Sequence, residues 1–231
     1  MKLLIVIPAY NEELNIERVV DNLTDRYPQY DYVVVNDGSK DHTAEICRRR
    51  GYHLLDLATN LGLAGGFQAG LKLAARLDYD YAIQLDGDGQ HDPAYIQRML
   101  DTMEHTGADI VIGSRFVEEK KPRALRMLGS NIIQIAIRLT TGKTIHDPTS
   151  GMRLFNRAMI REFASNLNYG PEPDTVSYLM RNGAKVAECP VVMQERIAGT
   201  SYLNLRRSME YMLRMCMSIL LIQPFRKRGV S

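Results

Sequence analysis

Asp86 and Asp88 stand two residues apart just after the apolar, β-prone run Tyr81-Ala82-Ile83-Gln84-Leu85, and Gln90 follows at the same interval. An extended chain would turn all three toward one side and offer three hard oxygen donors to a small divalent cation. Such donors suit Mg²⁺ or Mn²⁺ and not zinc. Glycines at 87 and 89 let the backbone turn, and Pro93 can open the next helix. Asp-Gly pairs also serve as plain turns, so the reading depends on what accompanies them. Two further polar clusters do: Tyr10-Asn11-Glu12 and Asn36-Asp37-Gly38-Ser39, each after an apolar run.

The elements that must position these residues follow from the hydrophobic pattern. Strands are expected at Lys2 to Ile7, Tyr32 to Val35, His53 to Leu57 and up to Leu85, with helices at Leu14 to Leu23, Ala44 to Arg50 and Phe67 to Arg76. Strand and helix alternate, which predicts an α/β fold with a parallel sheet, right-handed crossovers and ligands at the carboxyl ends of the strands. All three polar clusters fall at such ends. Gly62, Gly65, Gly66 and Gly70 form no G-x-G-x-x-G, which excludes a nicotinamide enzyme. Further strands are expected at Val111 to Phe116 and Val186 to Val192.

With 231 residues, 45% of them hydrophobic, the chain can bury a sizeable core. Net charge is only +2, so nucleic acid is not an expected partner, yet the charge is uneven. Leu203 to Ser231 carries six basic residues and one acid, net +5, against −3 for the rest. Residues 1–202 are therefore read as the main domain and 203–231 as a basic amphipathic helical segment, packed on its own domain or a second subunit, or lying in a membrane plane. Lys120 to Arg126 holds four cations and no acid and runs into the apolar stretch Ser130 to Leu139, which can rest in a headgroup layer. No apolar run reaches the roughly 18 residues of a spanning helix. The opening MKLLIVIPAY is too short and too soon interrupted for a signal peptide and reads as a buried strand. Cys47, Cys189 and Cys216 form neither a disulfide framework nor a zinc knuckle, which suggests a reducing, cytoplasmic setting. His91, His105 and His146 are given no role.

Taken in order, Pro8-Ala9-Tyr10-Asn11-Glu12, Asn36-Asp37-Gly38-Ser39-x-Asp41-x-Thr43, Asn60-x-Gly62, Asp86-Gly87-Asp88-Gly89-Gln90 and Gly113-Ser114-Arg115-Phe116 resemble the family 2 glycosyltransferases of the GT-A fold. The resemblance covers Lys2 to Arg153. Arg126-x-x-x-Ser130-Asn131 and Asp147-Pro-Thr-Ser150-Gly151-Met-Arg153 are most similar to polyprenyl-phosphate glycosyltransferases of the dolichol-phosphate mannosyltransferase type. It implies a Rossmann-like, mostly parallel sheet flanked by helices and an inverting hexosyltransferase that uses a nucleotide-sugar donor and a polyprenyl-phosphate acceptor at the cytoplasmic membrane face. UDP-glucose is the favoured donor and GDP-mannose the next. Asp86, Asp88 and Gln90 would hold the metal, while Pro8, Tyr10, Glu12, Asp37 and Gly62 would line the donor pocket. Arg115, Arg126 and Ser130 would meet the acceptor phosphate. Asp147 and Arg153 would flank a loop bordering acceptor and sugar, and Arg196 would pair with the diphosphate. Asn36 departs from the aspartate usual in the family. A glycan-extending relative would instead need a base for a sugar hydroxyl, Asp147 or Glu172, and a non-catalytic nucleotide-sugar-binding subunit would need no intact Asp86-x-Asp88.

Overall fold

Leu3–Ala9 (β1) is buried along its whole length because it has a parallel strand on each side and helices on both faces. The computed structural model that shows this describes residues 1–118, 125–165, 170–194 and 205–226, with backbone alone at 125–128, 205–208 and 224. The other strands are β2 (Asp31–Asn36), β3 (Leu54–Asp56), β4 (Tyr81–Gln84), β5 (Ile110–Ser114), β6 (Arg153–Asn156) and β7 (Val186–Pro190). They form one seven-stranded sheet in the order β3-β2-β1-β4-β6-β5-β7. Only β6 runs antiparallel to its neighbours, pairing Ile83 with Leu154 on one side and Ile112 with Arg153 on the other.

Eight helices are described: α1 (Ile16–Arg26), α2 (Thr43–Arg50), α3 (Gly62–Arg76), α4 (Ile96–Thr106), α5 (Leu125–Thr141), α6 (Arg157–Ser165), α7 (Pro173–Arg181) and α8 (Leu205–Met217). Strand alternation sorts the core into two layers. Leu4, Val6, Val33 and Val35 face Phe67, Ile133, Phe163 and Met215, while Leu3, Ile5, Ile7 and Val34 face Ile16, Val20, Met99 and Leu100. Phe67, Phe155 and Phe163 stack with centroids 5.6 and 5.5 Å apart and tie α3, β6 and α6 together.

The chain leaves β1 to build β2 and β3 on one side, then returns to place β4 on the other. Order therefore reverses between β1 and β4, the place beyond the carboxyl ends of the strands where such sheets bind ligands. Several elements differ from the sequence expectation. α3 begins at Gly62, not Phe67, because Asp37 Oδ1 accepts the Leu61 amide at 2.7 Å and Asn60 Oδ1 the Gly62 amide at 3.1 Å. These tertiary caps outweigh the poor helix propensity of four glycines. The last stretch is not one helix: α8 gives way to a π turn at Ser218–Ile222 and a 3₁₀ turn at Gln223–Phe225. The strand expected over Val111 to Phe116 ends at Ser114, which leaves Arg115 and Phe116 in the loop beyond the sheet. Among the described residues, no helix is long and apolar enough to cross a membrane.

Candidate functional site

The loop after β4 lies against the loop after β1 so closely that a Cβ on Gly87 would sit 3.0 Å from the Pro8 carbonyl and 3.6 Å from Glu12 Cγ. Asp86, Asp88 and Gln90 do not line up by strand alternation. The chain turns at once, closed by the Gly89 amide donating to the Asp86 carbonyl at 3.3 Å. Asp88 is buried and accepts the Gln90 amide at 3.0 Å, while the Gln90 side chain donates to the Gln194 carbonyl at 3.4 Å. Asp86 is held from two sides. Gln84 Nε2 donates to its Oδ1 at 2.8 Å, and its backbone amide donates to His91 Nδ1 at 2.9 Å. That second bond puts the proton of a neutral His91 ring on Nε2, 3.6 Å from Asp86 Oδ2.

The residues fit a divalent ion of the kind that phosphates share. Two carboxylates occupy one loop, and no group of three or more His, Cys, Asp or Glu that could hold a metal occurs among the described residues. A small hard cation commonly takes one or two protein carboxylates and completes its shell with water and substrate phosphate. The space beside Asp86 Oδ2 is kept by Gly151, where a Cβ would approach that oxygen to 3.0 Å and His91 Cε1 to 3.1 Å. Gly151 thus brings the 147–153 loop to the carboxylates.

Asp37 is buried where three segments meet. Its amide donates to the Ala9 carbonyl at 2.9 Å, its carbonyl accepts Asn60 Nδ2 at 3.1 Å, and its carboxylate caps the start of α3. Pro8 lies near the end of β1, Tyr10 just beyond it and Gly62 at the start of α3, while Glu12 is held by its amide to Thr43 Oγ1 at 2.9 Å and by Asn15 Nδ2 to its Oε2 at 2.7 Å. Asn36 spans to the next strand, donating to Asp56 Oδ1 at 2.6 Å, and Arg48 pairs with that aspartate. An aspartate at 36 would set two carboxylates against each other, and this chain avoids that.

A second polar cluster is built around Arg115 and Asp147. Arg115 Nε donates to Oδ2 at 2.7 Å and Nη2 to Oδ1 at 2.8 Å, and the Asp147 side chain is fully buried. Its guanidinium also lies 5.1 Å over the Phe116 ring. Ser150 Oγ bonds the Gly113 carbonyl at 2.5 Å, so the 147–151 loop is sewn to the end of β5. Arg153 opens β6, is buried, gives Nη2 to the Pro148 carbonyl at 2.9 Å and leaves Nε without a partner. Ser130 is buried in α5. The backbone of Arg126 lies on the same helix one turn earlier, its side chain outside the described residues, as is Arg196. Glu172 caps α7 and accepts the Tyr211 hydroxyl at 2.5 Å; burial and that carboxylate push the phenol well above its ordinary pKa. Sequence reasoning missed Gln84, His91 and Glu188, the last of which bonds the amides of His146 and Asp147. The only sign of Glu188 is a carboxylate interrupting an apolar strand.

The family model described as Glycosyl transferase family 2 matches residues 4–163. Polyprenol monophosphomannose synthase of Mycolicibacterium smegmatis is 30% identical over 222 residues, covering 89% of this chain and 83% of that one. Undecaprenyl-phosphate mannosyltransferase of Micrococcus luteus is 30% identical over 217 residues, covering 88% of each. Among solved structures, glucosyl-3-phosphoglycerate synthase of Mycobacterium tuberculosis, in complex with Mn²⁺, UDP-glucose and phosphoglyceric acid, superposes with a TM-score of 0.70 at 17% identity, over 99% of this chain and 82% of that one. At that identity the likeness speaks for the GT-A fold alone. A reversal of strand order between β1 and β4, two carboxylates in the loop beyond it and a family match over most of the chain lead to one assignment: this is a glycosyltransferase, and it belongs to glycosyl transferase family 2.

Proposed function

We propose that the protein transfers a hexose, with inversion, from a nucleotide-diphosphate sugar to the phosphate of a polyprenyl phosphate at the cytoplasmic face of a membrane. One observation carries the choice of acceptor: both carboxylates that could deprotonate a sugar hydroxyl are committed elsewhere. Asp147 is fully buried in its fork with Arg115, and Glu172 is bonded to Tyr211. A phosphate is already anionic at neutral pH and needs no such base. Its oxygen attacks the anomeric carbon, and the bond from that carbon to the nucleoside diphosphate breaks with the electron pair leaving on the diphosphate.

Asp86 and Asp88, with Gln90 adjacent, would hold Mg²⁺ or Mn²⁺, which would supply charge neutralisation for the diphosphate leaving group. The chain's own groups do the rest. Asp37 with Pro8, Tyr10, Glu12 and Gly62 seats the nucleotide. Arg115 meets the acceptor phosphate with the guanidinium edge turned away from Asp147, assisted by Arg126 and Ser130. The 147–153 loop, including Arg153, shapes the space between acceptor and sugar, and Arg196 pairs with the diphosphate. The two relatives reported above are named for mannose, which moves GDP-mannose ahead of UDP-glucose as the donor to test first.

The membrane reading rests on α5 and α8, which pack together and keep Ile132, Ile135 and Leu139 on one, and Met209, Leu213 and Met217 on the other, exposed. Exposed Arg138 and Arg214 flank these side chains. The deciding experiment offers purified protein a short-chain prenyl phosphate or a free sugar, with UDP-glucose or GDP-mannose, with and without Mn²⁺. Metal-dependent transfer to the prenyl phosphate is expected. Preference for the sugar hydroxyl would replace this reading with a glycan-extending one.

A further inference from the structure

We propose that Glu188 is a positioning residue: it fixes the turn at 146–147 so that Asp147 holds Arg115 in the orientation that receives the acceptor phosphate. This rests on the reading of Arg115 given above. Glu188 sits on β7 beside Ile112 of β5, with a side chain only 10% exposed. Its Oε1 accepts the Asp147 amide at 2.9 Å and its Oε2 the His146 amide at 2.7 Å, with His146 Nδ1 also 2.7 Å from Oε2. A buried carboxylate is costly unless hydrogen-bonded, and here those bonds all go to the one turn that carries Asp147.

From that turn the order passes to Arg115. Asp147 Oδ2 accepts both Arg115 Nε, at 2.7 Å, and the Arg115 backbone amide, at 3.2 Å, while Oδ1 accepts Nη2. The fork fixes the guanidinium plane and directs the three remaining N–H donors away from Asp147, where they can bind a phosphate through paired bonds. Small misplacement of such a clamp weakens binding of the group it orients. Two neighbouring amides, each given its own oxygen, require a carboxylate. A glutamine would present one oxygen and turn its NH₂ toward the other amide.

The test is a double-mutant cycle of Glu188→Gln with Arg115→Lys, which keeps the charge beside Asp147 but not the fork. Acceptor KM, donor KM and donor hydrolysis without acceptor are measured for each protein, after a thermal melt has established that it folds. Glu188→Gln is expected to raise acceptor KM about tenfold and leave donor KM and hydrolysis unchanged, and the double mutant is to match Arg115→Lys within about twofold. Additive losses, a slowed donor hydrolysis, or wild-type acceptor KM for Glu188→Gln beside an impaired Arg115→Lys would overturn the positioning role alone. An unimpaired Arg115→Lys would overturn the assignment of Arg115 and the positioning role with it. Should Glu188→Gln not fold, Glu188→Asp, with both oxygens kept but withdrawn, takes its place under the same outcomes.

Discussion

Asp37 shows why a proposed donor-binding residue cannot be tested by truncation. Its carboxylate caps α3 through the Leu61 amide, so Asp37→Ala removes a helix cap, at a cost of about 0.5–2 kcal/mol, along with any donor contact. Asp37→Asn keeps the accepting oxygen and loses only the charge. It is expected to hold its melting temperature within a few degrees while donor KM rises with little change in kcat. A lost kcat at unchanged donor KM would remove Asp37 from the donor pocket. Asp88 is expected to behave otherwise. Asp88→Ala should lower kcat by at least about a hundredfold and weaken Mn²⁺ binding measured directly by calorimetry, and near-normal values in a folded mutant would end the metal assignment. The carboxylate motif was legible because its members are neighbours in the chain. Glu188 was not, since it acts on residues that only the fold brings near, 41 and 42 positions away. His91 stands only five residues beyond Asp86, but its bond to that amide exists only because the chain turns between them instead of staying extended.

Elements were legible where hydrophobic period and turn chemistry agreed, as in β1, β2 and α2. They were lost where tertiary contacts decided. β6 is four residues long and antiparallel, and its order in the sheet is set by pairing with β4 and β5, which no local pattern encodes. α8 was expected as a helix and is one, but the contacts that hold it beside the buried Met215 are polar and were not legible. Tyr211 bonds Glu172, and Ser218 in the following π turn donates to Asp174 at 2.6 Å, both at the start of α7. Tyr211→Phe should therefore cost about 1–3 kcal/mol in urea unfolding, as the half-buried Glu172 carboxylate loses its hydroxyl partner. The pH dependence has a definite sign. Folding raises the Tyr211 pKa, so its contribution is full below the ordinary tyrosine value near 10 and declines as pH rises above it. Wild type should lose stability more steeply than Tyr211→Phe in alkaline solution, and parallel pH curves would exclude Tyr211 as the cause.

At the scale of the molecule, the sheet gathers the groups proposed for donor and metal beyond the ends of β1, β2 and β4, while α5 and α8 present an apolar exterior. α5 carries Ser130 on its buried side and Ile132, Ile135 and Leu139 outside, so one helix would face the reacting phosphate and the lipid at once. That arrangement suits an acceptor whose head must reach the site while its tail stays in the bilayer. Burying exposed apolar side chains contributes about 25 cal/mol per Å², and arginines add attraction to anionic lipid that salt weakens. Ile135→Glu combined with Leu213→Glu puts a charge on each helix without touching the core. The pair is expected to abolish co-sedimentation with vesicles containing anionic lipid and to lower transfer to a vesicle-embedded long-chain prenyl phosphate. Transfer to a soluble short-chain prenyl phosphate should stay within about twofold of wild type, because neither side chain belongs to the site. Retained vesicle binding would mean that another surface meets the membrane. Equal losses on both acceptors would mean that the charges disturb the site itself, and the apolar face would then have to be explained by a protein partner.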